Sequence, residues 1–439
     1  MTATAIVLAA GFGTRMKSAL PKTLHPIAGQ PMLRHLLDSC AAVFERIVVV
    51  IGPGMEAVAA AAAPHATIVQ HDRLGTAHAA LQAEALFGEG ELAILYADNP
   101  LITPATLARL LARRAEGDAG LALLAMRPAD PARYGRVLTR GGYVERIVEY
   151  ADATDAERAE GLCNAGVFCG PAPRLRAWLH DVRNDNAKAE YYLTDIVALA
   201  RAEGAHVASV EAPESELRGI NSRAELAAAE AVVQARLRAA ALEAGVTMTA
   251  PETVFLCADT RFGTDVTIAP NVVFGPGVTV EEGVEIRAFC HLEGCTLERD
   301  AVIGPFARLR PGTVVGRAAH VGNFVELKAA LLGDGAKANH LTYLGDAVIG
   351  AGSNIGAGTI TCNYDGVAKH RTEIGADAFI GSDSVLVAPV RIGEGAFVTA
   401  GSVITDDVAP DAMAFARARQ ENKAGRASVF RAARQREKK

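Results

Sequence analysis

The chain has 439 residues, of which 50% are hydrophobic and 21% are charged, so it is long enough for two or three folded domains and is not a disordered chain. Its formal net charge of −6 provides no global positive field for nucleic acid or a membrane surface, so any anionic ligand must be held by local cations. The apolar stretches are shorter than the roughly 18 residues of a membrane span, and the opening run Ile6 to Ala10 is too short for a secretory signal. The seven cysteines contain no C-x-x-C pair, which argues against a disulfide framework or a zinc ribbon. We expect a cytoplasmic protein that binds neither nucleic acid nor membrane.

Residues 1–221 alternate apolar strands with helix-like or loop segments. The strand candidates are AIVLAA, RIVVVIG, ATIVQ, ELAILYAD and GLALLAM. This alternation predicts a doubly wound, Rossmann-like α/β domain. Residues 222–245 are strong helix formers that stop at Gly245, so they predict a helical linker to a second domain.

From Phe262 to Ile404 an apolar residue recurs at every sixth position, with a phase slip before Leu297 and resumptions at Leu332 and Ile374. The inward candidates are Phe262, Ile268, Phe274, Val280, Ile286, Leu292, Leu297, Ile303, Leu309, Val315, Val321, Leu327, Leu332, Ala338, Leu344, Ile374, Ile380, Leu386, Ile392, Val398 and Ile404. This hexapeptide period predicts a parallel β-helix over residues 246–408. An antiparallel β-sandwich would instead show turn signals every eight to twelve residues. The period breaks between Thr361 and Ile374, where CNYDGVAKH predicts an outward loop. Residues 409–439 are basic and non-periodic, which predicts either a tail or an arm laid on a neighbouring chain.

A glycine-rich segment, LAAGFGTRM, follows the first strand, and Lys22 comes a few residues later. Such glycines let backbone N–H groups approach phosphate oxygens, while Arg15 and Lys22 can neutralise charge on a transferring phosphoryl group. Gly-x-Gly after a strand also occurs in dinucleotide-binding turns and in plain tight turns, but the third glycine of the dinucleotide fingerprint is absent here. The longer motif is more specific, and it resembles that of the sugar-nucleotide pyrophosphorylases.

This resemblance implies a set of functional residues in the first domain. Arg15 and Lys22 would be catalytic, Gln70 would read uracil, and Asp98 and Asn221 would hold Mg2+. The implied nucleotide- and sugar-binding residues are Leu8, Ala9, Gly11, Gly13, Gln70, Gly75, Thr76, Tyr96, Gly135, Glu149, Asn164 and Asn221. The alternative role for Asp98 is a helix N-cap ahead of Thr103, and that for Gln70, Glu149 and Asn164 is ordinary hydrogen bonding in turns or at the surface.

Two features depart from the family pattern. Phe12 places a bulky apolar side chain in the phosphate loop, and Ala97 and Asn99 flank Asp98 where the family more often has glycine before it and no amide after it. Neither feature removes a charged catalytic group, but both bear on the geometry of nucleotide binding.

The second domain contains one histidine in a motif that suits acetyl transfer. An amine that attacks a thioester needs a base, and His340 could serve as that base. Arg310 and Lys328 are eighteen residues apart, roughly one coil, and could grip a sugar phosphate together. A lone histidine in a solenoid is more often only a polar rung. The ordered motifs RLRPG, VELK, HLTYLGD, NIGAGT and NYDG favour the catalytic role.

Together the two halves, from about Ala5 to Arg417, resemble the bacterial bifunctional N-acetylglucosamine-1-phosphate uridylyltransferase and glucosamine-1-phosphate N-acetyltransferase family. The resemblance implies a left-handed β-helix, a homotrimer, and synthesis of UDP-N-acetylglucosamine for cell-wall and lipopolysaccharide precursors from glucosamine 1-phosphate, acetyl-CoA and UTP. The implied acetyl-site residues are Arg310, Lys328, Tyr343, Asn354, Ala357, Asn363, Tyr364, Ser382, Ala400 and Arg417. The stretch between Val246 and Pro305 is about one coil shorter than is usual in the family. Alternative interpretations are a nucleotidyltransferase for another sugar with a regulatory β-helix, and a non-catalytic assembly subunit.

Overall fold

The structure is a computed structural model that describes residues 2–117, 119–186 and 188–438. The chain forms two compact units, residues 1–237 and 238–439. They divide within helix Arg223–Glu243, which lies inside the segment predicted as a linker. This helix ends two residues before Gly245, whose φ of 94° L-residues rarely adopt.

The first unit is built on a mixed nine-stranded sheet. In spatial order, seven of its strands are His206–Glu211, Ala119–Met126, Cys163–Pro171, Glu91–Tyr96, Ala3–Leu8, Arg46–Ile51 and Ala66–Val69. The other two, Arg136–Arg140 and Tyr143–Val148, form an antiparallel hairpin beside Cys163–Pro171. Cys163–Pro171 is antiparallel to both Glu91–Tyr96 and Ala119–Met126, which departs from the parallel order of a doubly wound sheet. The preceding hairpin explains this direction, because it returns the chain without the long crossover that a parallel strand requires.

Helices cover both faces of this sheet, and each face has its own apolar core. The α-helices are Met32–Ala41, Glu56–Ala62, Thr76–Leu81, Pro104–Ala115, Asp155–Arg158, Ala172–Asp181, Ile196–Ala202 and Glu214–Leu217. Shorter 3-10 turns are Thr14–Met16, Lys22–Leu24, Glu84–Leu86 and Leu193–Asp195, and a small hairpin pairs Pro26–Ile27 with Gln30–Pro31. The first long helix shows why the sequence forms these layers, because Leu33, Leu36, Leu37 and Cys40 recur at helical spacing and are all fully buried.

The parallel strands place three loops at one edge of the sheet. Ala3–Leu8 lies between Arg46–Ile51 and Glu91–Tyr96 and runs parallel to both. The loops that follow the strands therefore gather where the strand order reverses, which is the usual ligand position in open α/β sheets.

The second unit is a stack of short parallel strands in three sheets, a parallel β-helix. The first sheet contains Thr247–Met248, Thr267–Ile268, Glu285–Ile286, Val302–Ile303, His320–Asn323, Lys337–His340, Asn354–Ile355, Phe379–Ile380, Phe397–Val398 and Met413–Ala414. The second contains Arg261–Phe262, Thr279–Val280, Cys295–Leu297, Thr313–Val315, Leu331–Leu332, Ala347–Ile349, Thr372–Ile374 and Val390–Ile392. The third contains Val273–Phe274, His291–Leu292, Arg308–Leu309, Glu326–Lys328, Tyr343–Gly345, Ile360–Cys362, Val385–Val387 and Val403–Ile404.

The predicted inward residues are buried, apart from Phe262, which lies in the first strand of its sheet and is only half-buried. The stack also continues beyond residue 408, because Met413–Ala414 pairs with Phe397–Val398. A final helix, Arg426–Arg436, is exposed. Over the described part of the chain, no helix combines the length and apolarity needed to cross a membrane.

The predicted outward loop leaves the stack between Ile360–Cys362 and Thr372–Ile374. It is closed by a bridge between Tyr364 and Lys369 and by Asp365, whose Oδ1 accepts hydrogen bonds from the backbone N–H groups of Val367 and Ala368. The polar side chains of this segment form its own turn, which explains why it does not follow the hexapeptide pattern.

Candidate active sites

A cleft of about 900 Å³ lies at the carboxyl edge of the first sheet. The predicted residues that line it are Leu8, Ala9, Gly11, Arg15, Lys22, Gln70, Gly75, Thr76, Tyr96, Asp98 and Glu149. The remaining predicted residues of this domain, Gly13, Gly135, Asn164 and Asn221, adjoin the lining residues or one another. The structure therefore brings the predicted nucleotide and sugar residues to one place.

The glycine-rich loop packs against Lys22. Gly13 has a φ of 65°, and a Cβ added there would lie 2.4 Å from Cβ of Lys22. Both the backbone conformation and the close approach thus require glycine at this position. The loop's first residue is fixed to the sheet, because the backbone N–H of Ala9 donates to the carbonyl oxygen of Val50.

Lys22 joins two segments that are far apart in sequence. Its Nζ lies 2.6 Å from Oδ2 of Asp98 and 2.9 Å from Oδ1 of Asn221. A carboxylate oxygen and an amide oxygen therefore converge on one cation inside the cleft. Oxygen donors of this kind are the ligands that Mg2+ prefers in proteins.

The alternative role for Asp98 as a helix N-cap is wrong. Thr103 is the cap of Pro104–Ala115, and its side chain accepts a hydrogen bond from the backbone N–H of Thr106. The residue that follows Asp98 has a structural role, because the buried Asn99 donates through Nδ2 to the carbonyl oxygens of Ala165 and Leu217. The Asn99 amide, which departs from the family pattern, therefore stabilises the loop that carries Asp98.

The segment predicted to read uracil is tightly packed. Gly75 has a φ of 126°, and a Cβ there would lie 2.5 Å from the backbone of Tyr191, so another residue would displace the chain. Gln70 is buried, and its Nε2 lies 3.2 Å from the carbonyl oxygen of Gly75 and 3.1 Å from Nδ1 of His78. Thr76 accepts a hydrogen bond from the backbone N–H of Leu193.

The predicted sugar residues are also neighbours. The backbone N–H of Asn164 donates to the carbonyl oxygen of Gly135, and a Cβ on Gly135 would lie 3.5 Å from Oε1 of Glu149. Burial raises the pKa of Glu149, while a hydrogen bond from Thr194 lowers it. A partly buried carboxyl that accepts hydrogen bonds is suited to binding sugar hydroxyl groups.

Asp195 is partly buried near Glu149, one of the predicted sugar residues, and this burial affects the stability of the fold. Burial, followed by repulsion from Glu149, raises the pKa of Asp195 from 3.8 to about 6. The folded chain therefore holds this proton more tightly than the unfolded chain does, so the side chain destabilises the fold increasingly as pH rises from 3.8 to about 6.

We expect Asp195→Asn to raise the free energy of unfolding at pH 7 by about 1 kcal/mol, a value discounted for partial solvent screening. The gain should disappear at about pH 3, which lies below both pKa values, because the side chain is then largely protonated in the folded and the unfolded wild type. Urea unfolding at the two pH values measures the difference, and Asp181→Asn, at an exposed helix end, is the control. An equal gain at both pH values would contradict this assignment.

The cleft also contains cationic residues that were not predicted from the sequence, among them Arg73 and Lys188. Arg73 lies in the segment between Gln70 and Gly75, so its position next to a predicted nucleotide motif was the available signal. Lys188 gave no such signal, because it reaches the cleft only through the tertiary fold.

In the β-helix, His340 is held by a residue that the sequence analysis missed. Nδ1 of His340 lies 2.8 Å from Oδ1 of Asn323, and the two residues pair in register on adjacent coils. An amide oxygen can only accept, so Nδ1 carries the proton in this arrangement and Nε2 has the lone pair. The signal in the sequence was the seventeen-residue spacing, about one coil, between Asn323 and His340.

The predicted sugar-phosphate residues lie on the next sheet and at the base of the outward loop. A Cβ on Gly345 would lie 2.4 Å from the Tyr343 hydroxyl and 2.8 Å from Nδ2 of Asn363, so these groups crowd around one glycine. Asn363 donates through Nδ2 to Oδ2 of Asp346. The Tyr364 hydroxyl donates to the carbonyl oxygen of Gly366 within the loop.

Three cations lie near these groups. Arg310 pairs through Nη1 with Oε1 of Glu326 at 3.0 Å, which fixes its guanidinium. Lys328 meets a residue that was not predicted, Lys369 of the outward loop. A hydrogen-bond contact with Lys328, together with the repulsion between the two ammonium groups, lowers the pKa of Lys369. Two ammonium groups in contact are suited to an anion between them.

The residues predicted to contact acetyl-CoA form one row along a corner of the β-helix. Ala338 pairs with Ile355, so His340 and Ala357 occupy equivalent positions on adjacent coils. The row then follows the stack through Ala357, Ser382, Ala400 and Arg417. Asn354 lies three residues before Ala357, on the outer face of the first sheet.

Arg417 lies in the C-terminal segment that was predicted to be either a tail or an arm laid on a neighbouring chain. Within its own chain, Nη1 of Arg417 donates to the carbonyl oxygen of Ala400, 3.0 Å away. The extra coil that ends at Ala414 carries the chain back to this corner, which explains the contact.

Comparison with known proteins agrees with both units. Residues 5–164 match the family described as "MobA-like NTP transferase domain", and residues 371–406 match "Bacterial transferase hexapeptide (six repeats)". A relative from Gluconacetobacter diazotrophicus, "Bifunctional protein GlmU", is 69% identical over 99% of this chain and 95% of its own. Proteins of the same name from Acidiphilium cryptum and Granulibacter bethesdensis are 66% and 68% identical, over 98% of this chain and 98% and 96% of their own. The chain belongs to the GlmU family.

Family membership confirms the predicted fold class, a Rossmann-like nucleotidyltransferase domain followed by a left-handed parallel β-helix of hexapeptide repeats. It also confirms the predicted bifunctional enzyme of UDP-N-acetylglucosamine synthesis, with a uridylyltransferase and an acetyltransferase activity. The alternatives of a monofunctional nucleotidyltransferase and of a non-catalytic subunit are inconsistent with a chain that matches these bifunctional relatives over almost its full length.

Proposed function

We propose that the two activities reside in the two sites described above and form a sequence. Glucosamine 1-phosphate is acetylated from acetyl-CoA at the β-helix, and the N-acetylglucosamine 1-phosphate then reacts with UTP in the first unit. The observation that carries this proposal is the convergence of Lys22, Asp98 and Asn221 inside the nucleotide cleft, in a unit separate from the one that holds His340.

In uridylyl transfer, a phosphate oxygen of the sugar phosphate attacks the α-phosphorus of UTP, and pyrophosphate leaves. Lys22 and Arg15 supply positive charge against the phosphate oxygens, and the glycine-rich loop lets the backbone approach them. The reaction demands mainly positioning and charge neutralisation, so the cleft needs no protein base.

The residues present suit a bound Mg2+. Oxygens of Asp98 and Asn221 already converge on a cation, the Lys22 ammonium, and these two side chains would hold the metal. No cluster of three or more His, Cys, Asp or Glu that could hold a metal occurs within residues 2–117, 119–186 and 188–438. An ion held by these two side chains would complete its shell with phosphates and water. When bound, Mg2+ would neutralise charge on the phosphates.

In acetyl transfer, the sugar amine attacks the thioester carbonyl carbon, the amine proton passes to Nε2 of His340, and the thiolate of CoA leaves. His340 lies at the head of the row Ala357, Ser382, Ala400 and Arg417, so a CoA laid along that row would present its thioester end to the base. Arg310, Lys328 and Lys369 would hold the sugar phosphate, and Tyr343, Asn354, Asn363 and Tyr364 would line the sugar site.

A homotrimer is the assembly that we propose for this enzyme, and the surface beside His340 supports association. Phe289, Phe306 and Phe324 stack at centroid distances of 4.9 and 5.1 Å along one corner of the β-helix, and each is about half exposed. A continuous apolar row of this kind marks interaction surfaces. Sedimentation equilibrium should give three times the chain mass of 45.8 kDa, and a monomer mass would contradict the proposal.

One assay tests the whole proposal. The enzyme is incubated with glucosamine 1-phosphate, acetyl-CoA, UTP and Mg2+, and free CoA and pyrophosphate are both followed. Omission of acetyl-CoA should stop both products, whereas N-acetylglucosamine 1-phosphate should restore pyrophosphate release without it. Pyrophosphate release that is independent of acetylation would contradict the proposed sequence.

A further inference from the structure

Phe12, the residue that departs from the expected phosphate loop, packs on the unpredicted arginine of the cleft. The guanidinium carbon of Arg73 lies 3.4 Å from the centroid of the Phe12 ring. Nε of Arg73 also donates to the carbonyl oxygen of Ala10, 2.9 Å away. One side chain from the segment that follows Ala66–Val69 therefore contacts the glycine-rich loop twice, by a ring contact and by a hydrogen bond.

The path of Arg73 explains a third feature. To reach Ala10, the side chain crosses the carboxyl end of strand Arg46–Ile51, where the next residue is Gly52. A Cβ on Gly52 would lie 2.3 Å from Nη2 of Arg73, so any larger residue there would displace the guanidinium. Gly52 has no positive φ, so the backbone does not require glycine there, and a larger residue would be accommodated by moving the Arg73 guanidinium.

The contact is partly shielded from water. Nη2 of Arg73 is buried, and it has no hydrogen-bond partner among the residues that the structure describes. The Phe12 ring covers the guanidinium while remaining 62% exposed itself. A charge-assisted hydrogen bond that is covered in this way is stronger than the same bond in open water.

We propose that Arg73 and Phe12 are positioning residues that hold the glycine-rich loop against the base-reading segment before UTP binds. This inference rests on the proposed uridylyl-transfer site in the same cleft. Neither residue is required to touch a reacting atom. Arg73 fixes the backbone at Ala10, and Phe12 acts only through Arg73 by covering it. UTP then meets an ordered loop, so less conformational freedom is lost on binding.

The kinetic test compares Arg73→Gln, Phe12→Ala and the double variant. Arg73→Gln should raise KM for UTP about 10-fold with kcat unchanged, because the hydrogen bond orders the loop equally in the ground and transition states. Phe12→Ala should raise KM about threefold, the scale of an exposed cation–π contact. The double variant should be no worse than Arg73→Gln, because Phe12 has nothing to cover once Arg73 is absent.

Gly52→Ala and Arg46→Gln make the test specific. Gly52→Ala keeps both residues of the pair but displaces the guanidinium, so it should also raise KM for UTP. Arg46→Gln is the matched control, because Arg46 is an exposed arginine whose Nη1 also donates to a backbone carbonyl oxygen, that of Leu86. It should leave KM unchanged. A fall in kcat larger than the rise in KM for Arg73→Gln would overturn the positioning role and indicate a direct charge on the reacting phosphates.

Hydrogen exchange of the nucleotide-free enzyme separates this inference from the proposed function. Backbone amides of residues 9–16 should exchange faster in Arg73→Gln and Phe12→Ala than in the wild type, whether or not the cleft transfers uridylyl groups. Unchanged exchange would overturn the inference even if the wild type makes pyrophosphate. If the two variants exchange faster but the wild-type enzyme releases no pyrophosphate, the proposed uridylyl-transfer site would be overturned and the inferred loop contact would stand.

Discussion

Asp98→Asn is expected to lower uridylyl transfer about 100- to 1,000-fold, the scale seen when one electrostatic group is removed from an active site. The substitution keeps the size of the side chain but removes the carboxylate that lies 2.6 Å from Nζ of Lys22. Lys22 would lose its anchor, and the pair of oxygens suited to Mg2+ would lose its charge. Pyrophosphate release from UTP and N-acetylglucosamine 1-phosphate measures the effect.

Acetyl transfer should remain at the wild-type rate in the same variant, because Asp98 and His340 belong to separate compact units. Asp181→Asn is the matched control, since it removes a carboxylate from an exposed helix end in the same unit. Raising the Mg2+ concentration should partly restore uridylyl transfer in Asp98→Asn and have no such effect on the control. Equal loss of both activities in a folded variant would refute the independence of the two sites.

The β-helix was the most predictable part of the fold. An apolar residue at every sixth position can be buried only if successive coils stack, so the period alone specified inward residues such as Ile303 and Leu386. The direction of Cys163–Pro171 was not predictable in the same way. Its apolar pattern suits a parallel or an antiparallel neighbour, and only the preceding hairpin determines which one forms.

The sequence identified candidate site residues that lie in continuous motifs, but it did not identify those that only the tertiary fold brings near them. Lys22 and Asp98 each belong to a recognisable segment, but their 2.6 Å contact depends on the order of the strands. Lys369 lies inside the predicted outward loop and Asn323 lies two residues before the VELK motif, yet their roles depend on which side chains the fold places beside them. The role of Phe12, the bulky residue in the glycine-rich loop, could not be inferred from the sequence, because it depends on the Arg73 guanidinium that the fold places against its ring.

His340→Ala is expected to lower kcat of acetyl transfer about 100- to 10,000-fold, the usual contribution of a positioned general base. The apparent affinity for acetyl-CoA should change little, because in the proposed site the imidazole serves the sugar amine and the row from Ala357 to Arg417 is left intact. Uridylyl transfer from pre-acetylated sugar phosphate should be unaffected. His291→Ala, at an exposed position of the same β-helix, is the control. If His340 were only a polar residue that stabilises the β-helix, His340→Ala would lower Tm and retain most of the kcat of acetyl transfer.

Asn323 allows the same assignment to be tested without removing the imidazole. Its amide oxygen accepts from Nδ1 of His340 at 2.8 Å, which leaves Nε2 free to take the amine proton. Asn323→Ala should lower kcat but leave KM for acetyl-CoA unchanged, because the ring loses its orientation and not its place in the row. A general base must be neutral to accept a proton, so acetyl transfer should fall at low pH. Asn323→Asp places a carboxylate beside the ring and favours the imidazolium, so this fall should move to higher pH. If a stable His340→Ala enzyme retained nearly the wild-type rate, or if Asn323→Asp left the pH profile of acetyl transfer unchanged, another group would have to accept the proton. Tyr343 is the next candidate.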